Sequence, residues 1–304
     1  MRDLFKKFTL IFCLSTLLLS YSFALSPQSS GYIPVKQGKL YYEKYGSGTP
    51  ILVLHGGPGS GLDHGYFKPQ LLSLAANYEV IFYDQRGSGK SLETGMNRDV
   101  INLQQFTDDI ETVRKTLGFK QFILLGHSWG SLLALNYSIK YPNHAAKLIL
   151  IDSMPANLSG KMAAANALNQ RIEPFKNEIA PLSDYNELQK LTAEQIIALT
   201  RKLFSVYFYK PEDAEKLTLD ITVESSLSGF KVAQLMMQDM FDNLLPQLNK
   251  LNVPTTIIHG EQDFVPLWTA QDLAKAIPNA KLIVVSQSGH FPFIEKPDEF
   301  FNTI

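Results

Sequence analysis

The stretch Leu124-Leu125-Gly126-His127-Ser128-Trp129-Gly130 decides how this chain is interpreted. It joins an apolar, strand-like run to the pattern Gly-x-Ser-x-Gly, and a helix-like segment follows directly. A sharp strand-to-helix turn lifts a serine hydroxyl clear of its own backbone, and flanking glycines leave room for that crowded turn. The following helix points its N-terminal N–H groups at the charge formed during attack. Ser128 is therefore the predicted nucleophile; the alternative is a glycine-bracketed turn with an idle serine.

Outside this stretch, apolar strand-like runs alternate with helical patterns along most of the chain. This alternation predicts an α/β fold with a mostly parallel central sheet flanked by helices. Several of the runs are nearly continuous in Val, Ile and Leu, which is typical of strands covered on both faces. The runs are 40–42, 51–54, 80–83, 122–125, 148–151, 255–258 and 282–285.

The strand pattern stops between about Pro155 and Pro246. This segment is helical in pattern and contains an aromatic cluster near residues 204–209. We predict an inserted helical cap at residues 155–245, placed over the carboxyl edge of the sheet, where ligands bind in α/β folds. The core of the domain is then formed by residues 25–154 and 246–304.

Residues 1–24 have the pattern of a secretory signal peptide: a basic start, an apolar run from 8 to 19, and the small-x-small site Ser22-Phe23-Ala24. The alternative is an uncleaved membrane anchor. The apolar run is short for that role, because a bilayer-spanning helix needs about 20 residues. We expect a secreted or periplasmic protein that is cleaved near Ala24 and is not stably inserted in a membrane afterwards.

The composition narrows the class of protein. The chain has 304 residues and a net charge of −1, without the basic stripe of a nucleic-acid-binding protein. Its single cysteine, Cys13, lies in the apolar run of the signal pattern, so the mature protein has no disulfide and no thiolate site. No closely spaced group of zinc ligands occurs. We expect no metal, no cofactor and no nucleic-acid partner, and the sequence does not indicate the oligomeric state.

A serine nucleophile needs a general base, and the base needs an acid that orients it. His290 follows the last strand-like run, and Asp263 follows the run before it. Each residue would therefore lie at the carboxyl edge of the sheet with Ser128, in the chain order Ser, Asp, His. We predict these three as the catalytic set, with Asp152 as the rival for the acid. The other histidines that compete for the role of base are His55, His64, His127, His144 and His259.

A second glycine cluster, His55-Gly56-Gly57-Pro58-Gly59, follows an early strand-like run. An oxyanion hole needs two backbone N–H donors that converge on one oxygen. We predict Trp129, directly after the nucleophile, and Gly57, because Pro58 has no N–H. The alternative is an ordinary tight turn; a phosphate-binding loop would need a Lys-Ser/Thr pair that is missing. The loop at 84–91 is expected to support this turn, with a structural rather than catalytic arginine at its third position.

Together these motifs resemble the α/β-hydrolase superfamily over residues 31–304, and within it the proline iminopeptidase group of serine peptidases. The resemblance rests on the segments His55-Gly56-Gly57-Pro58-Gly59, Asp84-Gln85-Arg86-Gly87-Ser88-Gly89-Lys90-Ser91 and Gly126-His127-Ser128-Trp129-Gly130-Ser131. It implies removal of an N-terminal residue, proline or similar, from short peptides through an acyl-enzyme. Loops like the first segment also occur in related esterases and amidases.

The resemblance also implies residues that bind the substrate. Members of the group bind the free amino group with acidic side chains from the cap or beside the catalytic acid. Some carry an acidic residue directly after that acid, but this chain has Phe264 there, which we expect at the substrate. In the cap, Glu224 is our candidate for the amine and Asp239 the other. For each of the two, the alternative is a solvated helix face.

Three function classes stay open. The first is a peptidase acting on small peptides; the second is a carboxylesterase, lactonase or amidase acting on small apolar acyl substrates. The third is a ligand-binding receptor on a hydrolase fold, against which the intact Ser-Asp-His set argues. An epoxide hydrolase or dehalogenase would need an aspartate in place of Ser128.

Overall fold

The computed structural model describes residues 26–241 and 243–304. The predicted signal peptide, residues 1–24, lies outside the described residues and stays a prediction. Within the described part of the chain, no helix has both the length and the apolar character needed to cross a bilayer.

Eight strands form one sheet in the order β1-β2-β4-β3-β5-β6-β7-β8. The pairs β1–β2 and β2–β4 are antiparallel, and all other neighbours are parallel. The predicted mostly parallel sheet is therefore confirmed. The strands are β1 (Ser29–Val35), β2 (Gly38–Tyr45), β3 (Thr49–Leu54), β4 (Tyr78–Tyr83), β5 (Phe122–His127), β6 (Ala145–Ile151), β7 (Thr255–Gly260) and β8 (Ala280–Val285).

Two hydrophobic clusters cover the two faces of the sheet. Along β3 the side chains alternate between them: Leu52 and Leu54 belong to one cluster, Ile51 and Val53 to the other. Because both faces are covered, a central strand must be apolar at every position, which explains the near-continuous runs. Strand β1 is absent from the predicted runs. It contains Pro34, which has no N–H to donate, and an edge strand such as β1 tolerates this because one of its sides has no partner strand.

Helices contribute residues to both hydrophobic clusters and so lie on both faces of the sheet. Between β6 and β7 the described residues form helices and contribute no strand. The α-helices are α1 (Lys68–Leu71), α2 (Leu103–Thr116), α3 (Trp129–Lys140), α4 (Leu158–Ile172), α5 (Lys176–Ile179), α6 (Tyr185–Leu188), α7 (Ala193–Phe204), α8 (Val223–Met236), α9 (Leu245–Leu248), α10 (Leu267–Ala276), α11 (Pro292–Glu295) and α12 (Pro297–Phe301). Short 3₁₀ turns link several of them.

A buried ionic network fixes the loop that follows β4. Nδ1 of His64 lies 2.6 Å from Oδ1 of Asp84, and its Nε2 lies 3.5 Å from Oε2 of Glu43. Burial opposes protonation of this imidazole, but the two carboxylates outweigh burial and raise the pKa of His64 to about 9. The backbone N–H of Lys90 also donates to Asp84, at 2.8 Å. A buried imidazolium thus ties β2, β4 and the loop together.

The raised pKa of His64 predicts a specific pH dependence of stability. Because the pKa in the folded state, about 9, lies above the unfolded value, this contribution is fully present below about pH 6.5 and is lost as the pH rises through 9. We expect His64→Gln to lower the free energy of unfolding more at pH 6 than at pH 10, by roughly 3 kcal/mol. Urea unfolding at the two pH values measures this, and an equal loss at both would show that His64 is neutral.

Candidate active site

Ser128 lies on a strained turn between β5 and α3. Its φ of 56° and ψ of −117° are unusual for a residue with a side chain, and such strain persists only where the surroundings enforce it. Its N–H donates to the carbonyl of Ile151 at 2.9 Å. Its carbonyl accepts from the N–H groups of Ser131 and Met154, each at 3.1 Å. The turn is thus fastened to β6 on one side and to α3 on the other.

The two glycines around this turn are needed for space. A Cβ on Gly130 would lie 2.1 Å from the carbonyl oxygen of Leu54, and one on Gly126 would lie 2.4 Å from the carbonyl oxygen of Gly130. Both distances are far inside van der Waals contact, and the neighbours are backbone atoms that cannot swing away. The two glycines of the Gly-x-Ser-x-Gly pattern are therefore required because α3 and β3 approach β5 so closely.

The predicted base and acid come together at the carboxyl ends of β7 and β8. Nδ1 of His290 lies 2.8 Å from Oδ2 of Asp263, and both side chains are buried. Burial raises the pKa of Asp263, but the neighbouring His290 outweighs it and holds that pKa below its usual value. Ser128 and His290 line the same cavity. The rival acid, Asp152, accepts a hydrogen bond from the N–H of Gly260 instead.

The segment between β6 and β7 holds the backbone of His290, the predicted base. The N–H of His290 donates to the carbonyl of Tyr207 at 2.7 Å. A Cβ on Gly289 would lie only 2.1 Å from that carbonyl oxygen. Only a glycine at position 289 leaves room for the hydrogen bond between His290 and Tyr207.

A buried hydrogen-bond relay links the glycine turn at residues 55–59, strand β5 and the predicted base, His290. The N–H of Gly56 donates to the hydroxyl of Tyr66 at 2.9 Å, and this hydroxyl lies 2.5 Å from Nδ1 of His127. Nε2 of His127 lies 2.7 Å from the carbonyl oxygen of His290, so Nε2 carries the proton and Nδ1 accepts from the tyrosine. Burial holds the pKa of His127 well below its usual value, which keeps the ring neutral. Sequence reasoning missed Tyr66, because it belongs to no motif.

The predicted oxyanion residues lie at the same cavity as Ser128. Gly57, with a φ of +62°, and Trp129 line the cavity together with Ser128. The Trp129 indole N–H donates to Gln85 at 3.0 Å, and the Gln85 amide donates to the carbonyl of His55 at 2.7 Å. The prediction that the loop at 84–91 supports the glycine turn is therefore confirmed.

The arginine of that loop has the structural role expected from the sequence. Arg86 is buried and makes a two-pronged contact with Asp109, at 2.5 and 2.8 Å. A third contact, to the carbonyl of Lys36 at 2.7 Å, ties the loop to the chain after β1. Its donors therefore point into the fold and away from the cavity.

The cavity has a volume of about 440 Å³ and is lined mainly by apolar side chains. Phe264 lines it as expected, with its ring centroid 4.8 Å from that of His290. Among the described residues of the lining, none carries a carboxylate, and Lys161 is the only lysine or arginine. The aromatic part of the lining comprises Tyr66, Trp129, Phe204, Tyr207, Phe264 and Phe291.

The expectation for Glu224 needs correction. It is exposed in the first turn of α8 and does not line the cavity. Ala233 of the same helix does; nine residues at 3.6 residues per turn place Glu224 on the opposite side of α8. The other acidic candidate, Asp239, pairs with Arg98 at 2.6 Å. Neither is placed to receive an amine in the cavity.

Comparison with known proteins places this geometry in a family. The model of the alpha/beta hydrolase fold family matches residues 49–297. The chain is 27% identical to the proline iminopeptidase of Heyndrickxia coagulans, covering 91% of this chain and 97% of that one. It is 28% identical to the probable proline iminopeptidase of Leptolyngbya boryana, covering 88% and 90%.

Solved structures show the same fold with different activities. The proline iminopeptidase of Mycobacterium smegmatis superposes with a TM-score of 0.67 at 22% identity, covering 90% of this chain and 96% of that one. Est816, described as an N-acyl homoserine lactone degrading enzyme, superposes with a TM-score of 0.65 at 23% identity, covering 90% and 98%. At these identities the likeness establishes the fold alone.

The relay through Tyr66 predicts a double effect of Tyr66→Phe. The N–H of Gly56 and Nδ1 of His127 would both lose a buried partner, so we expect the free energy of unfolding to fall by about 1–3 kcal/mol. Because the relay ends on the backbone of His290, kcat should fall as well. Urea unfolding and steady-state kinetics measure the two effects. Tyr137→Phe is the matched control: it removes a buried hydrogen bond to Glu111, and neither residue lines the cavity, so kcat should stay unchanged.

Proposed function

Because the chain belongs to the α/β-hydrolase fold family, as an enzyme similar to proline iminopeptidases, we propose that it is a serine hydrolase that releases an N-terminal residue, proline or similar, from short peptides. One observation carries the chemistry: the strained Ser128 and the His290–Asp263 pair meet at one apolar cavity. The peptide substrate is supported by the curated relatives named proline iminopeptidase.

In the proposed mechanism, Nδ1 of His290 is engaged by Asp263, which leaves Nε2 to take the proton from the hydroxyl of Ser128. The serine oxygen attacks the substrate carbonyl, and the N–H groups of Gly57 and Trp129 stabilise the oxyanion. The imidazolium then gives its proton to the leaving amine, and an acyl-enzyme remains. Water, activated by the same histidine, releases the acid.

The substrate's acyl part would lie against the aromatic lining. A proline ring is compact and apolar, and burying it against Phe204 and Phe264 gains the usual hydrophobic free energy of about 25 cal/mol per Å². The cavity volume of about 440 Å³ suits a short substrate.

A second candidate function is that of a carboxylesterase, lactonase or amidase acting on small apolar acyl substrates. One observation favours it: the described lining contains no carboxylate, whereas a buried substrate ammonium needs one. Such substrates carry no amine and need no such partner. The acyl-enzyme chemistry would be the same.

Covalent catalysis by Ser128 is tested by a serine-directed fluorophosphonate. We expect the protein to be labelled and Ser128→Ala to abolish this labelling. The same substitution should lower kcat by about 10³-fold or more, and the residual activity would come from the oxyanion hole. Ser226→Ala is the matched control and should leave labelling intact, because the Ser226 hydroxyl has no hydrogen-bond partner among the described residues and does not line the cavity. Undiminished labelling of the Ser128 variant would rule out this nucleophile.

The two candidate functions differ in their use of a free amine. If the enzyme is an aminopeptidase, its kcat/KM for aminoacyl naphthylamides with a free amine should be at least ~10²-fold higher than for their N-acetyl analogues. The reason is that one buried charge-assisted contact is worth a few kcal/mol. Glu224→Gln should leave that ratio unchanged, because Glu224 is exposed away from the cavity. Equal rates, with good turnover of short-chain p-nitrophenyl esters, would favour the second candidate.

A further inference from the structure

Two buried carboxylate oxygens are left without a partner beside the catalytic set. Asp152 follows β6 and is fully buried, and its Oδ1 accepts from the N–H of Gly260 at 2.8 Å. Among the described residues, neither Oδ2 of Asp152 nor Oδ1 of Asp263 has a hydrogen-bond partner. Ligand atoms of Asp152, Asp263 and His290 all lie within 4.8 Å of one another. Two ionised carboxylates so placed would repel each other in a medium that screens charge poorly.

We propose that Asp152 carries a proton in the resting enzyme and donates it from Oδ2 to Oδ1 of Asp263, as a positioning residue for the catalytic carboxylate. The role in positioning rests on the proposed serine-hydrolase function. A single hydrogen bond from protonated Asp152 would give a partner both to its own Oδ2 and to Oδ1 of Asp263. Asp263 then has one oxygen bonded to His290 and the other to Asp152, so its carboxylate cannot rotate away from the base.

The surrounding groups place the proton on Asp152. Burial and the charge of Asp263 raise the pKa of Asp152 well above its usual value, whereas His290 keeps Asp263 ionised. On β7, Nδ1 of His259 lies 3.6 Å from Oδ1 of Asp152. Its Nε2 faces the carbonyl of Val265 at 3.0 Å and must donate there, while burial lowers the pKa of His259. The neutral His259 thus offers Asp152 only a lone pair.

The remaining acid near the pair is already engaged. Glu295 of α11 accepts from the N–H groups of Gly289 and Tyr209, each at 2.7 Å. Its negative charge adds to the field that disfavours ionisation of Asp152. Only the N–H of Gly260 favours the ionised form of Asp152; burial, Asp263 and Glu295 together outweigh it.

Two substitutions test the donor without straining the backbone. The φ of Asp152 is +42°, which asparagine and glycine tolerate. Asp152→Asn places an amide N–H where the proton would be, so kcat should stay within about threefold and the acid limb of the pH profile should not move. Asp152→Gly removes the donor, and kcat should fall by roughly 10- to 100-fold with KM little changed, since Asp152 does not line the cavity.

Asp263→Asn is the reference in the same assay, with an expected loss of up to roughly 10⁴-fold in kcat. If Asp152→Asn loses as much activity as Asp152→Gly, the residue works as an anion and the proposal is wrong. If Asp152→Gly is as active as the unmodified enzyme, Asp152 positions nothing. Either result leaves the assignment of Ser128 untouched.

A measurement without turnover tests the proton itself. A carboxyl whose pKa is higher in the folded than in the unfolded state contributes stability that is lost as the pH rises from the unfolded pKa toward the folded one. The side-chain amide of the Asp152→Asn variant does not titrate, so this variant lacks that pH-dependent contribution. The Tm of Asp152→Asn minus that of the unmodified protein should therefore increase as the pH rises from about 4, the ordinary pKa of an aspartate, toward neutrality, by up to about 3 °C per pH unit.

A Tm difference that stays constant over this range would overturn the proposal. This result does not depend on finding a substrate. A rising difference in a protein that no fluorophosphonate labels would keep the proton on Asp152 and reject the hydrolase function instead.

Discussion

The tight turn at Ser128 is the constraint on which the rest of the site depends. A positive φ at a residue with a side chain costs free energy of order 1–3 kcal/mol, and here backbone hydrogen bonds from β6 and from the segment after it hold the turn in place. The same close packing excludes a Cβ at Gly126 and Gly130. The turn requires β3, β5 and β6 to lie side by side, so the order of the strands in the sheet determines how Ser128 is presented to the cavity.

Around that turn, backbone atoms are fixed by side chains that have no part in the proposed chemistry. His127 contacts the carbonyl of His290, Tyr66 contacts His127, and Gln85 bridges the indole of Trp129 and the carbonyl of His55. Each link is a buried, directional hydrogen bond, so the loops fix one another's positions. The cavity-lining backbone is thus held in position without a ligand, as the proposed stabilisation of an oxyanion would require.

The sequence was sufficient for whatever depends on local pattern. Apolar runs predicted the central strands, and the chain order of Ser128, Asp263 and His290 indicated residues that the fold indeed brings to one edge. It was insufficient wherever the direction of a side chain decides. Glu224 is polar and lies in a helix of the predicted cap, yet the period of α8 turns it to solvent. Tyr66 is part of the relay through a contact 61 residues along the chain, for which no local signal exists.

The carbonyl of Tyr207 lies in the segment inserted between β6 and β7, yet it supports the backbone of the histidine that follows β8. The insertion is therefore not a detachable module that changes specificity while leaving the catalytic unit intact. A chimera that exchanged this segment for that of another hydrolase would need to bring an acceptor to the same point above Gly289. The sequence of the insertion can therefore vary only as far as the carbonyl oxygen of Tyr207 keeps its position, while the apolar side chains around it are free to change.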